Sequence, residues 1–125
     1  MTTHRFAPTI WHTVLAALPP AFTVDSGDTI VTETIDANGW DKHDRKVANP
    51  PNPMNGPIAV RGAEPGDSLK VEIIAMRPIR ASGWTRASLA GNVVDPEFVR
   101  ELPARDRATW RIDRNALTVA LDNPP

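Results

Sequence analysis

A mainly β fold is the class this sequence predicts: an antiparallel sandwich or a partial barrel, with long Pro/Gly-rich loops and at most short helices. Three observations lead there. The chain holds 13 prolines in 125 residues, about twice the usual share of roughly 5%, and proline interrupts helices while marking turns and strand ends. Several segments alternate apolar and polar residues with period two, the spacing of a half-buried strand. Two of the strand-like segments open on a Gly-Asp pair, "GDTIVTE" from Gly27 and "GDSLKVE" from Gly66.

Taken in order, residues 1–20 are irregular. "WHTVLAAL" at 11–18 has the composition of a short helix that Pro19-Pro20 ends, or of an apolar arm lying on a neighbouring surface. "DTIVTETI", Asp28 to Ile35, is rich in Thr, Ile and Val and reads as a strand; its imperfect alternation suits cover on both faces. Residues 36–57 form a long loop with four prolines and little periodicity. Loops of that length in a compact domain are usually functional or disordered, and Trp40 favours order because its ring needs a packing partner. "SLKVEIIAM", Ser68 to Met76, is the clearest strand, with Leu69, Val71 and Ile73 on one face and Lys70 and Glu72 on the other. "DPEFVREL" at 95–102 predicts a short helix, capped by Asp95 with Pro96 in its first position. "TWRID" and "LTVALD" alternate cleanly, with Trp110 and Ile112 on one face and Leu117, Val119 and Leu121 on another. "RNA" between them predicts a hairpin.

Length suits one domain. Hydrophobic residues make up 41% and charged residues 23%, with a formal net charge of −1, so a globular core is possible and no basic footprint for nucleic acid or anionic membrane is present. No cysteine occurs, which excludes disulfides and thiolate metal sites. Apolar stretches fall short of a membrane span, and Met-Thr-Thr-His-Arg-Phe lacks the apolar centre of a signal peptide. The expectation is a soluble, cytoplasmic protein with no nucleic-acid or membrane partner.

Chemistry is sparse in these residues. No serine sits in a Gly-x-Ser-x-Gly elbow, no phosphate-cradling glycine loop is present, and His4, His12 and His43 lack zinc-site spacing. The acidic loop "DANGWDKHD" offers Asp36, Asp41, His43 and Asp44, oxygen and imidazole groups of the kind that serve a divalent cation or simply face solvent. "GAEPGD" offers Glu64 and Asp67, either a turn or a carboxylate pair that orients a ligand. His12, beside Trp11, is a further weak metal-ligand candidate along with His43. In both Gly-Asp pairs the glycine permits a tight turn and the aspartate bonds to nearby backbone, so Asp28 and Asp67 also read as structural punctuation.

The stretch from Asn52 to Ile73, of the form Asn-Pro-x-x-Gly-Pro-Ile-x-Val-x-Gly-Ala-Glu-Pro-Gly-Asp-Ser-Leu-x-Val-Glu-Ile, resembles the signature region of the acetamidase/formamidase family. Upstream, "LPPAFTVDSGDTIVTETIDANGWD" is similar to that family's opening. Downstream, "PIRASGWTRA", the "DPEF" turn and "TWRID…LTVALDNPP" resemble its next section, so the likeness covers nearly the whole chain. It departs where many members carry Gly-Gly-Gln, here Asn38-Gly39-Trp40-Asp41. Members are also longer, with later segments rich in metal-binding and acid–base residues.

The resemblance implies residues 1–125 as the N-terminal part of an amidohydrolase that hydrolyses formamide or acetamide to ammonia and carboxylate, inactive without a missing C-terminal half. It implies zinc or another divalent cation as cofactor, a small amide as substrate, and a homo-oligomer or a C-terminal partner chain. The walls of the pocket would draw on Asp36, Asp41, Asn55, Gly56, Glu64 and Asp67, with His12 and His43 as metal candidates and no catalytic residue assignable. The alternative is a non-catalytic β-domain that binds a partner protein or a small ligand.

Overall fold

A computed structural model describes residues 1–86, 91–101 and 107–122. The chain forms two compact units, Met1–Val71 and Glu72–Pro125, each with its own sheets.

The first unit is built from four short strands. β1 (Thr3–Phe6) pairs with β3 (Thr29–Thr32), and β2 (Phe22–Val24) pairs with β4 (Ile58–Val60). Both ladders are parallel, with Thr3 opposite Thr29 and Phe22 opposite Ile58. The mainly β expectation holds, but in this unit the ladder direction is parallel and not antiparallel. Parallel neighbours cannot be joined by a tight turn; each needs a long crossover. That requirement explains the length of the 36–57 loop, which forms part of the connection from β2 to β4. Packing between the two ladders is aromatic: the Phe22 ring lies 5.0 Å from that of Phe6 and 5.7 Å from the imidazole of His4. Val24, at the end of β2, is buried.

Backbone hydrogen bonds hold the long loop. The Asp36 N–H donates to the Trp40 carbonyl, the Val47 and Ala48 N–H groups both donate to the Gly39 carbonyl, and the Asn52 N–H donates to the Ala37 carbonyl. Trp40 and Lys46 form a single β-bridge, and the Lys46 ammonium lies 5.9 Å from the centre of the Trp40 ring. The expected helix at 11–18 does not form. His12 instead bridges to Met54 through a reciprocal backbone pair of 3.0 and 2.8 Å, and Val14 and Leu15 stand exposed. Eight residues bounded by a proline pair give too little propagation to offset helix nucleation.

The second unit is antiparallel, as expected. β5 (Ser82–Arg86), β6 (Arg107–Asp113) and β7 (Thr118–Leu121) form one sheet in that order. Trp110 faces Leu121 across the ladder and Ile112 faces Val119, which is the pairing their alternation implies. The hairpin turn is held by the Asp113 carboxylate, which accepts the N–H groups of Asn115 and Ala116 at 2.9 Å each. Leu117 sits in the turn with φ of 54°, so it does not join the face of Val119 and Leu121. The Trp110 indole N–H donates to Thr85 Oγ1 at 3.0 Å. The short helix expected over 95–102 is present as a 3-10 helix, Pro96–Glu101, preceded by another 3-10 turn at Gly91–Val93; residue 102 and the terminal 123–125 lie outside the described residues. No helix among the described residues is long and apolar enough to cross a membrane.

One strand expectation fails. Residues 68–76 belong to none of the strands. Leu69, Val71 and Ile73 are 67, 74 and 68% exposed, and Ile74 is 73% exposed, so neither face of the segment is covered.

Gly39 makes the sharpest packing demand. Its φ is +87°, and a Cβ there would collide with the Ala48 carbonyl. Gly39→Ala is expected to cost about 2–3 kcal/mol, read as a lower urea midpoint at unchanged m-value.

Candidate functional site

Every candidate side chain lies in the first unit, and most of the carboxylates turn out to hold backbone. Asp36 Oδ1 accepts the N–H groups of Asn38 and Trp40, each at 2.9 Å. Asp41 does the same one turn later: Oδ1 accepts from the His43 N–H at 2.8 Å and the Arg45 N–H at 3.0 Å. Its Oδ2 takes both Nε and Nη2 of Arg45, at 2.9 and 2.7 Å. The Arg45 backbone N–H, then the Arg45 guanidinium, hold the Asp41 pKa down to about 2. A carboxylate so firmly ionised binds protons too weakly to serve as a general base near neutral pH. His43 is exposed at the tip of this turn.

A second neighbourhood forms around the end of the loop. The His12–Met54 bridge brings residue 12 beside residues 54–56. Asn55 reaches back with its amide Nδ2, donating to Thr32 Oγ1 at 3.0 Å and to the Glu33 carbonyl at 3.2 Å. Glu33 in turn pairs with Lys42 at 2.7 Å. Gly56 is buried with φ of 102°, a backbone conformation that L side chains rarely adopt. The structure therefore joins His12, Asn55 and Gly56 to the strand end at Thr32–Glu33.

The third neighbourhood is the Glu64–Asp67 turn. The Glu64 N–H donates to Asp67 Oδ2 at 2.9 Å, and the Asp67 N–H donates to the Glu64 carbonyl at 3.1 Å. Gly66, third in the turn, has φ of 103°, the sign a type II turn requires there. The Glu64 carboxylate is exposed. Asp67 is thus the residue that closes the turn.

Sequence reasoning missed the carboxylate of Asp28 as a contact between distant residues. Asp28 closes an identical turn, accepting the Asp25 N–H on Oδ2 at 3.1 Å and donating its own N–H to the Asp25 carbonyl at 3.1 Å. It also accepts the Thr2 N–H on Oδ1 at 2.7 Å, and His4 Nε2 lies 2.9 Å from Oδ2. An ionised carboxylate only accepts, so Nε2–H is the donor. The His4 hydrogen bond, then the N–H groups of Thr2 and Asp25, lower the Asp28 pKa from 3.8 to about 2. The repeated Gly-Asp was a usable signal for the turn; nothing in the sequence marked residue 4 as its partner.

No group of three or more His, Cys, Asp or Glu side chains converges among the described residues to hold a cation. With Asp36 Oδ1 and Asp41 Oδ1 engaged by backbone N–H groups and Asp41 Oδ2 by the Arg45 guanidinium, the described residues alone assemble no ligand set for a divalent cation.

What the fold defines is a β scaffold with a hydrogen-bonded loop whose Asp36 and Asp41 accept backbone N–H groups. The chain belongs to the Acetamidase/Formamidase family, whose model matches residues 7–117. It is 33% identical over 82 residues to "Putative formamidase C869.04" of Schizosaccharomyces pombe, a match that takes in 59% of this chain and 19% of the relative. The match therefore spans about a fifth of that curated relative's length. No solved structure matches.

The depressed pKa of Asp28 sets a pH dependence. Its folded-state value lies below the unfolded 3.8, so its contribution to stability is present above that pH and is lost as pH falls to about 2. Asp41 acts in the same window with the same sign. Thermal midpoints recorded from neutral pH downward should fall over that acid window. Asp28→Asn should lower the neutral midpoint by a few degrees and reduce, without abolishing, the acid-side loss. An unchanged acid profile in the variant would contradict this assignment.

Proposed function

We propose that this chain is the scaffold portion of an amidohydrolase acting on short aliphatic amides such as formamide and acetamide, releasing ammonia and the carboxylate. The family match over residues 7–117 carries this reading. The side-chain chemistry of the described residues supports the word scaffold.

Amide resonance makes the carbonyl a poor electrophile and the amine a poor leaving group. A catalyst must activate a nucleophile, stabilise the oxyanion and protonate the nitrogen. Formamide and acetamide offer few atoms for binding, so the pocket must be closed and its donors fixed in advance. A loop whose turns are pinned by Asp36 and Asp41, and whose end is pinned by the His12–Met54 bridge and by Asn55, suits the role of a rigid wall. Asp36, Asp41, Asn55 and Asp67 contribute to that wall chiefly by holding backbone, Gly56 by its positive φ and Glu64 through its place in the turn. The nucleophile-activating group, the proton donor and any divalent cation with its ligands come from polypeptide outside the described residues. The activity therefore requires a further chain segment, in the same polypeptide or in a partner.

Ammonia release from formamide and acetamide, with and without added zinc, tests this. The purified 125-residue chain should give no turnover above background, and the same chain continued by the later part of a family relative should release ammonia. Sustained turnover by the 125 residues alone would reject the requirement for further polypeptide.

A further inference from the structure

Asparagine followed by glycine occurs twice, at Asn38-Gly39 and at Asn55-Gly56. This dipeptide carries a chemistry of its own. Glycine has no Cβ to shield its backbone nitrogen, so that nitrogen can attack the carbonyl carbon of the asparagine side chain. To do so, the peptide plane between the two residues must turn its nitrogen toward the side chain. What holds that plane therefore decides whether a given pair reacts.

The plane between residues 38 and 39 is held at both of its polar groups. The Gly39 N–H donates to the Asp36 carbonyl at 2.9 Å, and the Asn38 carbonyl accepts from the Lys46 ammonium. The next carbonyl, that of Gly39, takes the N–H groups of Val47 and Ala48. The plane between residues 55 and 56 is held at neither group. Among the described residues the Gly56 N–H donates no hydrogen bond and the Asn55 carbonyl accepts none. Gly56 is buried, and a buried N–H without a partner is rare. The Asn55 side chain is held instead, with Nδ2 donating to Thr32 Oγ1 and to the Glu33 carbonyl. These bonds do not oppose departure of that nitrogen, because both acceptors bind it more strongly as it gains a proton.

We propose that Asn55 is a deamidation site built into the folded chain, while the fold protects Asn38, which has the same neighbour. The Gly56 nitrogen gives up its proton to solvent base and bonds to Asn55 Cγ. The Cγ–Nδ2 bond breaks, and the nitrogen leaves as ammonia with a proton from water. Water then adds to either carbonyl of the resulting cyclic imide and opens it, leaving aspartate or isoaspartate at position 55. The lost nitrogen is the donor that ties the end of the long loop to Thr32 and Glu33. The new carboxylate only accepts, so it meets the Glu33 carbonyl oxygen with no hydrogen between them, and the loop end is released. Each chain gives up a single ammonia this way without any amide substrate, a release that stops at one equivalent and so differs from turnover.

The test keeps the intact chain folded at mildly alkaline pH and, in parallel, unfolded in guanidinium chloride, then weighs its tryptic peptides. Phe6–Lys42 contains Asn38 as its single asparagine. Val47–Arg61 contains Asn49, Asn52 and Asn55, but the first two precede proline, whose nitrogen carries no proton and cannot close the imide. The amide-to-acid mass gain of each peptide thus reports one Asn-Gly pair. In the folded chain Val47–Arg61 should convert roughly tenfold faster than Phe6–Lys42 or more, since two hydrogen bonds of ordinary strength hold the slower plane. In guanidinium chloride the two should convert at similar rates. Equal rates in the folded chain, faster conversion of Phe6–Lys42, or the same ratio in guanidinium chloride overturns the proposal. So does an unconverted Val47–Arg61 in the folded chain while the unfolded chain converts. Asn55→Asp should lower the thermal midpoint by a few degrees; an unchanged midpoint overturns the release of the loop end.

Discussion

One carboxylate organises the first unit. Asp28 takes four contacts at once: two close its own turn and two anchor the strand that begins the chain. β1 has only four residues and a single paired edge, too little ladder to be stable alone. Apolar burial offers little help, since Val24, Pro53 and Ala108 are the buried apolar side chains among the described residues, the first two in the first unit. Where the hydrophobic contribution is so small, a charge-assisted cluster of hydrogen bonds decides which strands pair and in what register. The same anchor places His4 against Phe22 and so couples the β1–β3 ladder to the β2–β4 ladder.

The repeat of that turn gives the rest of the unit its logic. Parallel pairing of β2 with β4 sets the two turns on neighbouring strands, and the crossover this demands becomes the long loop. More than its prolines hold that loop in place. Asp36 and Asp41 each gather N–H groups that would otherwise be unsatisfied, and Gly39 admits the Ala48 carbonyl where no side chain fits. A loop held in this way suits the wall proposed above, and Asp41, held ionised by Arg45, is a poor candidate for proton transfer.

Legibility in the sequence tracked local chemistry. β6 and β7 were readable because alternation and turn residues agree over a short span, and Asp113 supplies the turn hydrogen bonds their spacing suggests. β5 was not, because Ser82-Gly83-Trp84-Thr85-Arg86 carries no apolar alternation and is defined by its pairing with β6. β1 and β4 are too short for periodicity to register. Ser68–Met76 shows the converse: alternation records that a face is suited to cover, but not whether the cover lies in the same 125 residues. Of the site residues, the carboxylates were visible as residue types. Their engagement with backbone was foreseen for Asp28 and Asp67 and not for Asp36 and Asp41. The His4–Asp28 contact spans residues 24 apart and leaves no periodic trace.

The central claim is that one turn device occurs twice and holds its strand in only one of the two places. Residue-resolved hydrogen exchange of the chain alone at neutral pH tests it most directly. The account predicts slow exchange at Thr29 and Val31 and near-unprotected exchange at Ser68 and Lys70. Equal protection of the two sets would contradict it.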